Sequence, residues 1–241
     1  MPDPYDLRGR VVSGVTPRLG IITIGQTPRP DLVEAFGAEA PRAEVRVAGA
    51  LDGAGDAELP ALAAPGDYPL LVRLASGRTM EVPRDRLVPR VADAARRLAS
   101  EGASLVVLAC AGDFPDVSCP VPILLPGRIV PAVAGAISVS RRIGVVTPNR
   151  AQAPYAARKW QEDGFDPIVT WASPSDDGEL ARAAAALRDP GIDLVVIDCM
   201  GHADDARRAM AAWTGHPVLA AQSVVARVAG ALLAGGRQPD S

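Results

Sequence analysis

The chain contains one pattern twice: a short apolar strand that runs directly into a cysteine. Residues 102–110 read GASLVVLAC, and residues 191–199 read GIDLVVIDC. An earlier segment of each half also matches, because residues 19–23 (LGIIT) resemble residues 143–147 (IGVVT). Each cysteine therefore occupies the same place in its half, after the third apolar strand. An internal duplication is the simplest account, and it predicts two similar lobes.

Strand-like and helix-like segments alternate through both halves. Runs of aliphatic and β-branched residues are followed by stretches in which apolar residues recur at helical spacing, as Leu87 and Val91 do in residues 84–100. Such alternation is typical of parallel sheets covered by helices. The predicted fold class is α/β, with a parallel sheet in each half.

The pattern divides the chain into four parts. These are an N-terminal arm (residues 1–18), a first α/β lobe (19–125), a second α/β lobe (126–222), and a C-terminal helix with a tail (223–241). A β-hairpin at residues 68–82 interrupts the alternation in the first lobe. It is expected either to cover the cleft as a lid or to form the interface of a homo-oligomer, and the sequence leaves both open.

Composition argues against several classes of function. Only 4% of the 241 residues are aromatic and the net charge is −3 without a basic stripe, so nucleic acid is a poor partner. The apolar runs are of strand length, far below the roughly 20 residues of a membrane span. The start of the chain lacks the apolar segment of a secretory signal. Three cysteines, an odd number, indicate free thiols, so we expect a cytoplasmic protein.

The two duplicated cysteines, Cys110 and Cys199, are the leading candidates for catalysis. Ligands of open parallel sheets bind outside the carboxyl ends of the strands, where both cysteines lie. A pseudo-two-fold axis between the lobes would bring the thiols to a shared cleft from opposite sides. One thiolate would then remove a proton from a carbon, and the opposite thiol would return one to the other face. Each cysteine precedes a candidate helix start, which would lower its pKa from the usual value of about 8.5.

Further candidates lie beside the same strand ends. Backbone N–H groups could stabilise an enolate, and polar side chains or close backbone could hold a carboxylate. His202, three residues after the second cysteine, is a candidate proton shuttle. The candidate substrate-binding residues are Gly25, Gln26, Thr27, Arg29, Ala111, Gly112, Arg128, Thr147, Asn149, Met200 and Gly201.

Each candidate also has a purely structural explanation. A free cysteine often only packs in a core, and the loop at residues 25–30 could simply be a tight turn bounded by prolines. Arg29 and Arg128 could be exposed residues of a helical first turn, and His202 a helix cap. With two histidines and no CxxC motif, no metal site is expected, and no other cofactor is implied.

Five segments resemble the AroM family: ITIGQTPRPD at 22–31, the central hairpin, PGRI at 126–129, VVIDCMG at 195–201 and QSVVAR at 222–227. AroM-like proteins are in turn similar to the aspartate/glutamate/hydantoin racemase superfamily. That resemblance implies two pseudo-symmetric flavodoxin-like lobes, each contributing one catalytic cysteine, and no metal or pyridoxal phosphate.

Carried over by position, the resemblance assigns catalysis to Cys110 and Cys199 and carboxylate binding to the loop from Gly25 to Arg29. It matches His202 to the histidine that follows the second cysteine in glutamate racemases. Two departures stand out. The superfamily has Thr-His after the second cysteine and Asn-Thr after the first, whereas this chain has Met-Gly at 200–201 and Ala-Gly at 111–112.

The sequence therefore predicts a cofactor-independent racemase or epimerase acting on a small carboxylate, amino acid or hydantoin-like ring. Two alternatives remain at this stage. One is an enzyme that uses a single cysteine, such as a decarboxylase or a cis–trans isomerase of a small diacid. The other is a metabolite-binding protein without catalysis, in which the cysteines only fill space.

Overall fold

A computed structural model describes residues 16–55, 57–189 and 191–234. Most of the predicted N-terminal arm and the end of the predicted tail lie outside the described residues. The first strand begins at Arg18, the last residue assigned to the arm. The final helix begins at Ala221, two residues before the predicted start.

The first half contains a four-stranded parallel sheet, its helices and a hairpin. In chain order the elements are β1 (Arg18–Thr23), α1 (Pro30–Glu39), β2 (Glu44–Gly49), α2 (Leu59–Leu62), β3 (Pro69–Arg73), β4 (Thr79–Pro83), α3 (Arg84–Ser100), β5 (Leu105–Ala109) and β6 (Ile123–Leu124). Short helix α2 lies in a Gly-, Ala- and Pro-rich stretch that the sequence predicts to be a loop.

The second half repeats the arrangement without the hairpin. Its elements are α4 (Pro126–Ile137), β7 (Arg142–Thr147), a 3₁₀ turn (Arg150–Gln152), α5 (Ala153–Glu162), β8 (Asp166–Trp171), α6 (Asp177–Ala186), β9 (Leu194–Ile197), α7 (Asp204–Thr214), β10 (Val218–Ala220) and α8 (Ala221–Leu233). Helix α7 has no counterpart in the first half, where the segment after β5 is irregular.

The two sheets have the same strand order. The first is β2-β1-β5-β6 and the second is β8-β7-β9-β10, and every pairing within them is parallel. A glycine at the third position of the central strand lets a helix approach closely in each half. A Cβ on Gly20 would lie 3.1 Å from Leu98, and one on Gly144 would lie 3.0 Å from Leu187. The duplication therefore extends from topology to packing.

One apolar core lies between the two sheets and belongs to both. It joins Ile21 and Val107 of the first sheet with Val145 and Val196 of the second. Helices α1, α4, α5 and α8 fill this layer, with Phe36 and Trp160 among its largest fully buried side chains. Separate clusters cover the outer faces, under α3 and the hairpin on one side and under α6 and α7 on the other. The shared core fixes the lobes against each other and so fixes the cleft.

The hairpin, strands β3 and β4, is antiparallel and pairs Arg73 with Thr79 next to its turn. Buried Leu70 and Val72 anchor it in the outer core of the first lobe. Among the described residues, no helix is both long and apolar enough to cross a membrane.

Candidate active site

A cavity of about 300 Å³ opens at the carboxyl ends of the strands of both sheets. Both Cys110 and Cys199 line it, one from each lobe. Its floor comes from the segments that follow β1, β5, β7 and β9, and the hairpin forms a wall. Its volume is at the lower end of small-molecule sites. The predicted convergence of the two strand ends is therefore present.

The two thiols have matching surroundings. The backbone N–H of Gly201 donates to Sγ of Cys199 at 3.3 Å. The N–H of Gly112 acts on the Cys110 thiol in the same way and favours its thiolate. In both halves the glycine two residues after the cysteine is thus a donor. These N–H groups, predicted to stabilise a substrate enolate, are directed at sulfur instead.

Burial dominates the acidity of both thiols. It raises the pKa of Cys110 to about 12 and that of Cys199 to about 11. A negative charge on Cys199 would raise the pKa of Cys110 further. The predicted lowering by helix N-termini is wrong, because the segment after Cys110 is irregular and α7 begins only at Asp204. Near neutral pH both thiols are therefore protonated.

A buried lysine connects the two cysteine segments. Nζ of Lys159 on α5 donates to the carbonyl oxygen of Ala111, directly after Cys110, at 2.8 Å. The same Nζ lies 3.0 Å from Oδ2 of Asp198, directly before Cys199. The side chains of this ion pair are 7% and 4% exposed. The sequence does not single out Lys159, since nothing in its helical context distinguishes it from a surface residue.

Arg29 lines the cavity, but its guanidinium is already bound within the chain. Nε and Nη2 contact the carboxylate of Asp31 at 2.9 and 2.6 Å, and Nη1 donates to Oγ1 of Thr23 at 3.0 Å. The guanidinium that was predicted to bind a substrate carboxylate thus already binds the carboxylate of Asp31, two residues away. The positive charge of Arg29 still favours the thiolate of Cys199.

Gly25, Gln26 and Thr27, predicted to bind substrate, lie outside the cavity lining and hold the hairpin and loop in place. The backbone N–H of Gln26 donates to the Arg73 carbonyl at 2.9 Å, and its side-chain amide contacts further loop and hairpin backbone. A Cβ on Gly25 would stand 2.1 Å from that same carbonyl oxygen, so only glycine permits this approach. Thr27 donates through its N–H and Oγ1 to Asp52 at 2.8 and 3.1 Å.

Thr147 and Asn149, the second-half counterparts of that loop, also lie outside the lining. Oγ1 of Thr147 donates to the carbonyl oxygen of Asn149 at 2.9 Å. Oδ1 of Asn149 accepts from the N–H of Gln152, and its Nδ2 donates to Glu81 of the hairpin at 2.7 Å. Asn149 therefore ties the hairpin of the first lobe to the second lobe.

Arg128 and His202 lie outside the cavity lining. Arg128 is exposed and pairs with Asp116 at 2.8 Å. Nε2 of buried His202 lies 3.1 Å from the carbonyl oxygen of Ala172, and burial lowers the pKa of this imidazole. Neither residue lines the cavity, and His202 acts on the Cys199 thiol through its backbone N–H, not through the imidazole predicted as a proton shuttle.

Several lining residues were not predicted. The hairpin contributes Leu71, Arg73 and Thr79, and the segment after β8 contributes Ser173 and Ser175. The serines could have been found, because they follow a strand end as the cysteines do. The hairpin residues could not, since sequence does not show which way an inserted hairpin folds. Of the candidates, those that line the cavity are Cys110, Cys199, Arg29, Ala111, Gly112, Met200 and Gly201.

Within the described part of the chain, no group of three or more His, Cys, Asp or Glu side chains is arranged to hold a metal ion. The three cysteines are free thiols, and Cys119 lies outside the cavity lining.

Solved structures with the same fold include enzymes of three kinds. An arylmalonate decarboxylase is 21% identical, with a TM-score of 0.59 over 92% of this chain and 94% of that one. Allantoin racemase from Klebsiella pneumoniae is 15% identical, with a TM-score of 0.55 over 90% and 88%. A maleate isomerase from Pseudomonas putida S16, solved with maleate, is 15% identical, with a TM-score of 0.57 over 88% and 89%. At these identities the likeness establishes the fold alone.

A search of curated proteins finds no significant match. The fold, with its two helix-flanked parallel sheets, is the one that these three enzymes share. The family model described as AroM protein matches residues 19–233, almost the whole described chain. The chain belongs to the AroM family.

Proposed function

We propose that the protein is a cofactor-independent isomerase that racemises or epimerises a small carboxylate through Cys110 and Cys199. The observation that carries the proposal is that both thiols line one small cavity, each from its own lobe and each with an N–H donor two residues on. The racemases and the isomerase among the structures of the same fold support an activity of this kind.

The proposed reaction needs one thiolate and one thiol. The thiolate takes a proton from the carbon next to the carboxylate, and the electron pair left behind moves into an enolate. The opposite thiol then gives its proton to the other face of that carbon, so the two sulfur atoms exchange roles and the carbon inverts. Electrostatic repulsion favours the state with one thiolate and one thiol, because a negative charge on Cys199 raises the pKa of Cys110.

Hydrogen exchange tests the proposal directly. A panel of 2-substituted carboxylates, amino acids and hydantoins is incubated in deuterium oxide with the protein, and deuterium at the reacting carbon of both enantiomers is followed by NMR. Cys110→Ser and Cys199→Ser should each lose exchange by about 100-fold or more, the scale of a lost acid–base group. Cys119→Ser, outside the cavity, is the matched control and should retain it. Full activity in either cavity variant would rule out the paired mechanism.

The raised thiol pKa values favour a second candidate, a decarboxylase. In that reaction the bond between the α-carbon and one carboxyl group of a 2-substituted malonate breaks and carbon dioxide leaves. The remaining electron pair forms an enolate, and a protonated thiol supplies the proton without any prior thiolate. The test is release of carbon dioxide from such malonates by the wild type and by the two cysteine variants. If carbon dioxide is released and only one of the two variants loses this activity, the decarboxylase replaces the isomerase as the proposed function.

A further inference from the structure

One face of the hairpin combines a cation, a hydroxyl and an apolar side chain with the carboxylate of Glu81, which is paired with Leu71, lies outside the cavity lining and accepts from Nδ2 of Asn149. Arg73 and Thr79 are paired across the two strands, so their side chains lie on the same face, and Leu71 shares that face because it is two residues from Arg73. All three line the cavity. The hairpin is held on both sides, by Gln26 of the first lobe and by Asn149 of the second.

Most of the charge around the cavity is neutralised within the chain. Arg29 is bound to Asp31 through two nitrogens, and Lys159 is bound to Asp198. Each of these carboxylates therefore has its own cation at hydrogen-bond distance. Neither Arg29 nor Lys159 has its full set of donors free for a ligand.

Arg73 is the remaining cation of the lining. Among the described residues its guanidinium has no hydrogen bond and no carboxylate within ion-pair distance, and it acts on Asp31 only through longer-range charge. Of the two cations that line the cavity, Arg29 and Arg73, only Arg73 therefore has all its donors free, so the described lining offers one anchor for one carboxylate. A guanidinium with free donors is the side chain best suited to bind a carboxylate.

We propose that Arg73, assisted by Thr79, anchors the carboxylate of a singly charged substrate whose apolar substituent lies against Leu71. The inference rests on the proposed function and assigns its substrate class: a monocarboxylate bearing an apolar group. In this assignment the hairpin determines specificity, and Arg73 is a binding residue that touches the substrate while the cysteines exchange the proton.

Alkylation of the cavity thiols tests the anchor without any turnover. In a Cys119→Ser background at pH 9, the rate of modification by iodoacetate is divided by the rate for neutral iodoacetamide, with mass spectrometry identifying the modified cysteine. Arg73→Gln should lower this ratio about tenfold or more, as expected for a lost charge-assisted hydrogen bond. The matched control is Arg78→Gln, which removes the same charge from the hairpin turn outside the lining. An equal fall in both variants, or no fall, would overturn the inference.

Protection against iodoacetamide then tests the substrate class. Isobutyrate and phenylacetate should slow alkylation in a saturable way, malonate should do so less, and isobutyramide should not. The protection should disappear in Arg73→Gln and persist in Arg78→Gln. The inference would be contradicted if malonate protected more strongly than isobutyrate and phenylacetate. Protection by these monocarboxylates that is unchanged in Arg73→Gln would also contradict it. The alkylation experiments measure binding and not turnover. The anchor can therefore be refuted while cysteine-dependent hydrogen exchange persists, and it can be supported while that exchange is absent.

Discussion

Lys159 and Asp198 form a buried ion pair, with Nζ 3.0 Å from Oδ2. The indole N–H of Trp160 donates to the same oxygen at 2.9 Å, and Lys159 also bonds the backbone carbonyl of Ala111. One lysine on α5 therefore fixes the segments that carry both cysteines. We regard it as a positioning residue, since it does not line the cavity.

Replacing Lys159 alone should destabilise the fold more than replacing Lys159 and Asp198 together. Lys159→Met leaves the buried carboxylate of Asp198 without its cation, which should cost about 3–5 kcal/mol in the free energy of unfolding. The double variant with Asp198→Asn should recover part of that loss. Denaturant titrations of the wild type, both single variants and the double variant measure the coupling. Additive effects would show that the pair does not act as a unit.

Thiol reactivity should rise steeply with pH. Because burial raises the pKa of Cys110 to about 12 and that of Cys199 to about 11, the thiolate fraction should increase about tenfold per pH unit from pH 7 to 10. Iodoacetamide rates on the Cys119→Ser variant, resolved by peptide, measure this. The same chain unfolded in guanidinium is the control and should level off near the usual cysteine pKa of about 8.5. A plateau between pH 8 and 9 in the folded protein would contradict the burial of the thiols.

Gly25→Ala should displace the hairpin from the first lobe. The new methyl group would stand 2.1 Å from the carbonyl oxygen of Arg73, and such overpacking costs about 1–3 kcal/mol. Limited proteolysis should cut the hairpin faster in this variant. The control is Gly37→Ala within α1, where a Cβ meets nothing within 4 Å and should stabilise the helix by roughly 0.5–1 kcal/mol. Unchanged proteolysis of Gly25→Ala would show that this contact does not hold the hairpin.

His202 should matter for stability and not for proton transfer. His202→Ala removes the partner of the buried Ala172 carbonyl, which should cost about 1–3 kcal/mol. The folded fraction of this variant should keep wild-type rates of thiol alkylation and of any hydrogen exchange that the wild type shows. A loss of exchange with stability intact would return the imidazole to the mechanism.

Much of this architecture follows from the sequence. The repeated strand-to-cysteine segments predict two related parallel sheets, because apolar runs alternating with helical spacing can be buried in few other ways. The rule that strand ends form the site of an α/β fold then brings Cys110 and Cys199 together. That prediction needs only the chain order of the elements.

Only the tertiary structure decided which side chains face the cavity and in what ionic state. Arg29 was a candidate to bind a substrate carboxylate, yet it is bound by Asp31, and Lys159, which the sequence does not single out, is buried between the cysteine segments. The thiol pKa values moved opposite to the prediction, since desolvation by the shared packing outweighs the local N–H donors. Burial and pairing depend on residues far apart in the chain, which no local pattern records.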